Sequence, residues 1–162
     1  MKKIIILTII LSISFFVQSC ANAKSAEEFA KHLQSVIASG DKTSFRKMLS
    51  LQRPGDEGHI AEQVDYVFNS KSSKIRTLLM NNNTKIFVSP FINVNGEPTK
   101  KFIIIYYNPN IIDFTKPVSI EQLEEQWLNG YVETSVEFIN DGWFFVDAAF
   151  YQGSSPSWGE DY

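Results

Sequence analysis

Phe102-Ile103-Ile104-Ile105-Tyr106-Tyr107 is apolar at all six positions. A strand with one wet face alternates, so an unbroken run predicts a strand covered on both sides. Upstream, Ile86, Val88, Ile92 and Val94 alternate and predict a second strand with a single apolar face. Pro90 has no amide hydrogen to donate, so that strand belongs at a sheet edge or carries a bulge. Asn95-Gly96 lies between the two runs as a turn signal, and the pair is expected to form a hairpin.

Downstream, a second hairpin can be registered from the residues alone. With Asn140-Asp141-Gly142 as a three-residue loop, Phe138 pairs with Phe144, Val136 with Val146, Thr134 with Ala148 and Val132 with Phe150. A two-residue turn would set Val136 against Asp147 and turn the apolar set outward, so the first register is expected. Between the hairpins, Ser119 with Gln122 three residues on makes a capping box, and Val118 can staple to Leu123. Ile120, Leu123, Trp127 and Leu128 mark the buried side of that helix, and Gly130 is read as its stop.

The first half of the chain has the helical period instead. Phe29, Leu33, Val36 and Ile37 predict a helix from Ser25 to Ser39. Gly40 reads as its left-handed stop and Asp41 as the N-cap of a second helix carrying Phe45, Met48 and Leu49. Arg53-Pro54-Gly55 breaks that helix, and a third follows from about Asp56 with Ile60, Val64, Val67 and Phe68 on one side. Ile75, Leu78 and Leu79 suit a fourth, but Lys71 to Met80 is short enough to leave the assignment open. The fold class is therefore α+β, with N-terminal helices on an antiparallel sheet of about four strands and one helix inserted between the hairpins.

The chain opens with Lys2 and Lys3, an apolar run from Ile4 to Val17, and Ala21-Asn22-Ala23. This is the order of a secretory signal, and the run falls short of the roughly 20 residues that a membrane-spanning helix needs. Two processing routes fit. Cleavage after Ala23 leaves Lys24 first, whereas Val17-Gln18-Ser19-Cys20 resembles a bacterial lipobox in which Cys20 is lipidated and becomes residue one. The expected divisions are a signal over 1–23 (or 1–19), one domain over 24–151 and a Gly/Ser/Pro-rich tail over 152–162. Localisation is read as periplasm or cell envelope, with membrane contact only through a lipid on Cys20.

Cys20 is the chain's one cysteine, so no intramolecular disulfide can form and a cysteine-based zinc or redox site is excluded. The signal takes two lysines with it, moving the formal net charge from −3 to −5. An acidic chain with no basic block argues against nucleic acid and against anionic lipid surfaces.

The layout helix, Gly40-Asp41, helix and closing sheet with Asp141-Gly142-Trp143-Phe144-Phe145-Val146-Asp147 resembles the nuclear transport factor 2-like superfamily. That resemblance implies a cone-shaped α+β domain whose curved sheet wraps an N-terminal helix. It transfers no catalytic residue, because the superfamily hosts enzymes, binders and non-catalytic modules alike.

Chemistry-bearing motifs are sparse. His32 is expected at the border of the first helix, and Asp56-Glu57-Gly58-His59 is read as a capped helix start rather than a metal site. There is no Gly-x-Ser-x-Gly, Walker loop or dinucleotide fingerprint, so neither cofactor nor metal is expected. Glu133, Glu137 and Asp147 are expected on the face of the last hairpin opposite the core, most simply as a solvated strand face. Tyr131, Trp143, Phe145 and Tyr151 are assigned to the same face. Exposed, that set is a binding patch; enclosed, it lines a pocket; under the inserted helix, it is a second core layer.

The functional expectation is an exported, non-catalytic protein that binds a protein partner, an inhibitor or immunity-type contact being one form. The alternative is a pocket for a small apolar ligand, with or without weak acid/base catalysis by those carboxylates.

Overall fold

A computed structural model describes residues 25–49, 57–69, 73–93, 95–96, 98–139 and 143–148. The signal and Cys20, Asp56, Val94, the loop 140–142, Phe150, Tyr151 and the tail lie outside them. Within the described residues the protein is α+β. Helix α1 covers 25–39, followed by α2 (Lys42–Met48), α3 (Glu57–Phe68) and α4 (Ser73–Met80). Strands β1 (Lys85–Ile92) and β2 (Pro98–Tyr107), helix α5 (Ile120–Gln126), and strands β3 (Tyr131–Ile139) and β4 (Trp143–Ala148) complete the order. The strands are antiparallel neighbours in chain order, β1-β2-β3-β4.

Local chemistry explains the helix boundaries. Gly40 sits at φ 80°, and the amides of Gly40 and Asp41 donate to the carbonyls of Ile37 and Val36 at 3.1 Å each. This is the paired C-terminal motif that a left-handed glycine allows. Asp41 then caps α2, accepting from the Ser44 amide at 2.9 Å. Arg76 of α4 closes the same corner: its Nε donates to Ile37 O at 3.2 Å and its Nη2 to Ala38 O at 3.3 Å. A cation beside the last carbonyls of α1 also complements the helix dipole. At α5 both halves of the Ser119–Gln122 capping box are formed.

The first sheet face carries Phe102, Ile104, Tyr106, Val132 and Val136, packed against Leu33, Val36 and Ile37 of α1, Phe45 of α2, Val67 of α3 and Leu79 of α4. Ala26 and Ala30 are also fully buried in α1. Their small side chains bring the helix backbone close enough for Tyr106 to donate its hydroxyl to Ala30 O at 2.8 Å. Gln63 is an unexpected polar member, 7 % exposed.

The second face carries Ile105, Tyr107 and Tyr131, covered by Ile112 and Leu123 with Phe114, Val118 and Trp127 around them. Strand β2 is thus enclosed on both sides, which is the environment an all-apolar run requires.

Four sequence expectations are corrected. The closing register holds at Phe138↔Phe144 and Val136↔Val146, but a shift then pairs Ala148 with Ser135 rather than Thr134. Asp147 is the extra residue of that shift, a bulge that one-for-one pairing could not reveal. Ile92 is 57 % exposed rather than buried, because β1 is an edge strand whose register slips between Pro90 and Ile92. Ile120 is 58 % exposed: α5 is only seven residues long and turns inward through Leu123. Finally, Gly130 does not stop α5 by adopting a left-handed conformation, since the helix already ends at Gln126. It is needed because a Cβ there would lie 2.7 Å from Ile111 Cγ2 and 3.2 Å from Gln126 Cβ.

Candidate functional site

The second sheet face is where the sequence places its binding and carboxylate residues, and the register shows how they are distributed. Tyr131 pairs with Tyr107, Glu133 with Ile105, Ser135 with Ile103 and Glu137 with Lys101. On the other side of β3, Glu137 pairs with Phe145 and Ile139 with Trp143. The face therefore has two halves. One lies under residues 108–130, and the other runs toward Glu137 and the edge strand β4.

The covered half is aromatic and closed. Tyr131 has its ring centroid 5.4 Å from that of Phe114 and 5.2 Å from that of Trp127, both edge-to-face. Phe114 continues the chain of rings to Tyr107 at 5.2 Å and to Phe87 at 6.5 Å. The first three pairs are edge-to-face and the Phe87–Phe114 pair is stacked, both arrangements that add favourable quadrupole contacts to apolar burial. Tyr131 is fully buried, and its hydroxyl has no hydrogen-bond partner among the described residues.

Glu133 is the main departure from the expected wet strand face: only 6 % of it is exposed. The reason was implicit in β2. A continuous apolar strand demands a cover on its second face, and Glu133 stands in the same row as Ile105. Whatever covers Ile105 extends over its cross-strand neighbour. Burial, first, and then the negative charges of Glu133 and Glu124 push the Tyr131 phenol well above its ordinary pKa. Burial alone does the same to Tyr106.

These shifts fix a pH dependence. Raised tyrosines stay neutral in the fold while the unfolded chain ionises near pH 10, so stability holds below about pH 10 and falls as pH rises beyond it. Tyr131→Phe is expected to be neutral or stabilising at neutral pH, since the hydroxyl it removes has no partner among the described residues. It should also move alkaline unfolding to higher pH. Denaturant titrations of both proteins across the alkaline range measure this.

Toward β4, Glu137 is half-buried and stands opposite half-buried Lys101 of β2. An opposite-charge cross-strand pair of this kind contributes roughly 0.2–1 kcal/mol. Trp143 and Phe145 hold their positions on β4, Asp147 sits at the bulge, and Tyr151 lies outside the described residues. Tyr131 and Glu133 thus belong to a core layer, whereas Glu137, nearer β4, is half-buried.

The histidines form no site. His32 and His59 are both exposed, on α1 and α3. Among the described residues no group of three or more His, Cys, Asp or Glu is placed to hold a metal ion, and no helix is long and apolar enough to cross a membrane.

Comparison of the chain with family models, curated proteins and solved structures gives no match.

Proposed function

We propose that this chain is an exported cell-envelope protein that acts without catalysis, by binding a protein partner across the half of its second sheet face that runs to β4. The observation that carries the reading is the register: the Trp143 and Phe145 positions lie opposite Ile139 and Glu137 on an edge strand. Aromatic anchors ringed by charge are what protein interfaces use for affinity, with Lys101 and Glu137 supplying polar contacts at the rim. An inhibitor or immunity-type contact with a toxic protein is one form of this function, consistent with small size and acidic charge.

Export rests on the leader from Lys2 to Ala23, with either Cys20 or Lys24 as the first mature residue. An intact-mass measurement distinguishes them, since acyl chains on Cys20 and a free Lys24 are mutually exclusive. The finer fold reading belongs to the same proposal: the sheet curves around α1 as in the nuclear transport factor 2-like superfamily.

The test is capture by the mature protein from its native envelope extract. A stoichiometric protein partner is expected, lost with Trp143→Ala and retained with Asp147→Asn. Absence of any stoichiometric partner, or capture indifferent to Trp143→Ala, would overturn the proposal.

A second reading has one observation behind it, the Glu133 carboxylate buried next to Tyr131. Such a group suits acid/base work in a small-molecule pocket. That reading predicts a ligand whose turnover falls with Glu133→Gln while capture of protein partners is unaffected.

A further inference from the structure

Away from the sheet face, a groove of about 280 Å³ lies between α4 and the turns that follow β2 and α5. Lys74 and Thr77 line it from one stripe of α4, Asn81 enters just past the end of that helix, Asn108 enters after β2, and Leu128 and Asn129 enter after α5. Helical spacing accounts for the first two, since positions i and i+3 share a face, and the Asn81 amide bonded to Leu78 O at 3.1 Å keeps the chain beside them. The other side is held by the chain's geometry. Asn108 donates its amide to Gly130 O at 2.8 Å, and Leu128 sits at φ 61° with its amide bonded to Tyr131 O at 2.9 Å. A leucine rarely adopts that left-handed conformation, and such outliers concentrate at functional sites.

The hydrogen bonds around the groove decide its chemistry. Asn81 Oδ1 accepts from the Asn83 amide at 2.9 Å, and Asn108 Oδ1 accepts from the Asn110 amide at 3.0 Å. Asn129 Oδ1 accepts from Lys74 Nζ at 3.4 Å. Each carboxamide oxygen accepts one bond that fixes the orientation of its side chain, and each side chain keeps both N–H donors of its NH2 group to offer a ligand. Thr77 adds an exposed hydroxyl, and Lys74 adds a positive charge with two further N–H donors. Among the described residues no carboxylate lines the groove. In a chain with more acidic than basic residues, the result is a local site that pairs a positive charge with several N–H donors.

We propose that this groove binds a small oxyanion, the carboxylate or phosphate group of a ligand. Lys74 supplies the charge, and the amides of Asn81, Asn108 and Asn129 supply orientation. Charge-assisted bonds to an oxyanion are shorter and stronger than neutral ones, so the ammonium contributes most of the affinity. The groove lies just below the roughly 300–1,000 Å³ typical of drug-sized pockets, which limits the occupant to the anionic group and a small attached body. This site is independent of the aromatic sheet face and is tested separately from it.

The experiment uses isotope-labelled mature protein titrated at constant ionic strength with inorganic phosphate, acetate or chloride. The NH2 resonances of Asn81, Asn108 and Asn129 are the readout. Saturating shifts at all three are expected with phosphate, acetate or both, the stronger of the two identifying the class of ligand, and chloride should give none. Lys74→Gln, at an exposed helix position, should weaken binding about tenfold, whereas Lys116→Gln outside the groove should leave it unchanged. Shifts that never saturate or that chloride reproduces, silence at the three asparagines, or binding unaffected by Lys74→Gln would each overturn the proposal.

Discussion

Ile105→Ala is expected to destabilise the protein as much as Ile104→Ala, by about 2–5 kcal/mol each. The two residues are chain neighbours on β2 and point to opposite faces, yet both are fully buried. On a sheet with one wet face the inner substitution would be costly and the outer one nearly silent. Here Ile104 leaves a void against the helices, and Ile105 leaves one under Ile112 and Leu123. Incomplete relaxation around either void adds a cavity cost to the lost transfer energy. Denaturant unfolding of the two variants measures the comparison. A near-neutral Ile105→Ala would mean that residues 108–130 do not cover the second face.

Gly130→Ala is expected to cost about 1–3 kcal/mol through overpacking rather than through backbone conformation. The added methyl would meet Ile111 Cγ2 at 2.7 Å and Ile111 Cβ at 3.3 Å. A β-branched side chain has few rotamers into which it can retreat. Ile111 is 47 % exposed, so trimming it loses little burial. The double variant Gly130→Ala with Ile111→Ala should therefore recover most of the loss, and a double-mutant cycle would show strong coupling. Additive losses would place the strain elsewhere.

Much of this architecture can be read from residue order because it follows from local rules. Leu33, Val36 and Ile37 repeat with the helical period; Gly40-Asp41 and Ser119 with Gln122 carry their own capping chemistry; Pro90 marks an edge strand. Features that arise from packing between distant segments are harder to see. Ala26 and Ala30 look like filler until Tyr106 reaches the helix backbone beside them. The bulge at Asp147 costs one residue of register and has no signature in an apolar alternation.

Glu133 shows the same limit within the candidate site. Alternation along β3 assigns it to water, yet β2 had already required a cover over that face, and only the strand register joins the two statements. Residues 108–118 supply that cover through Ile112, Phe114 and Val118 without a regular period of their own. The groove asparagines are further still from legibility. Asn81, Asn108 and Asn129 come from three separate turns, and each reads alone as ordinary turn chemistry.

The proposed function requires that the sheet face closed at Tyr131 be open to a partner at the Trp143 and Phe145 positions. Hydroxyl-radical footprinting of the free mature protein tests this directly. The account predicts rapid oxidation at Trp143 and Phe145 with protection at Tyr107 and Tyr131. Protection at Trp143 and Phe145 equal to that at Tyr131 would contradict it, leaving no open aromatic surface for a partner to bind.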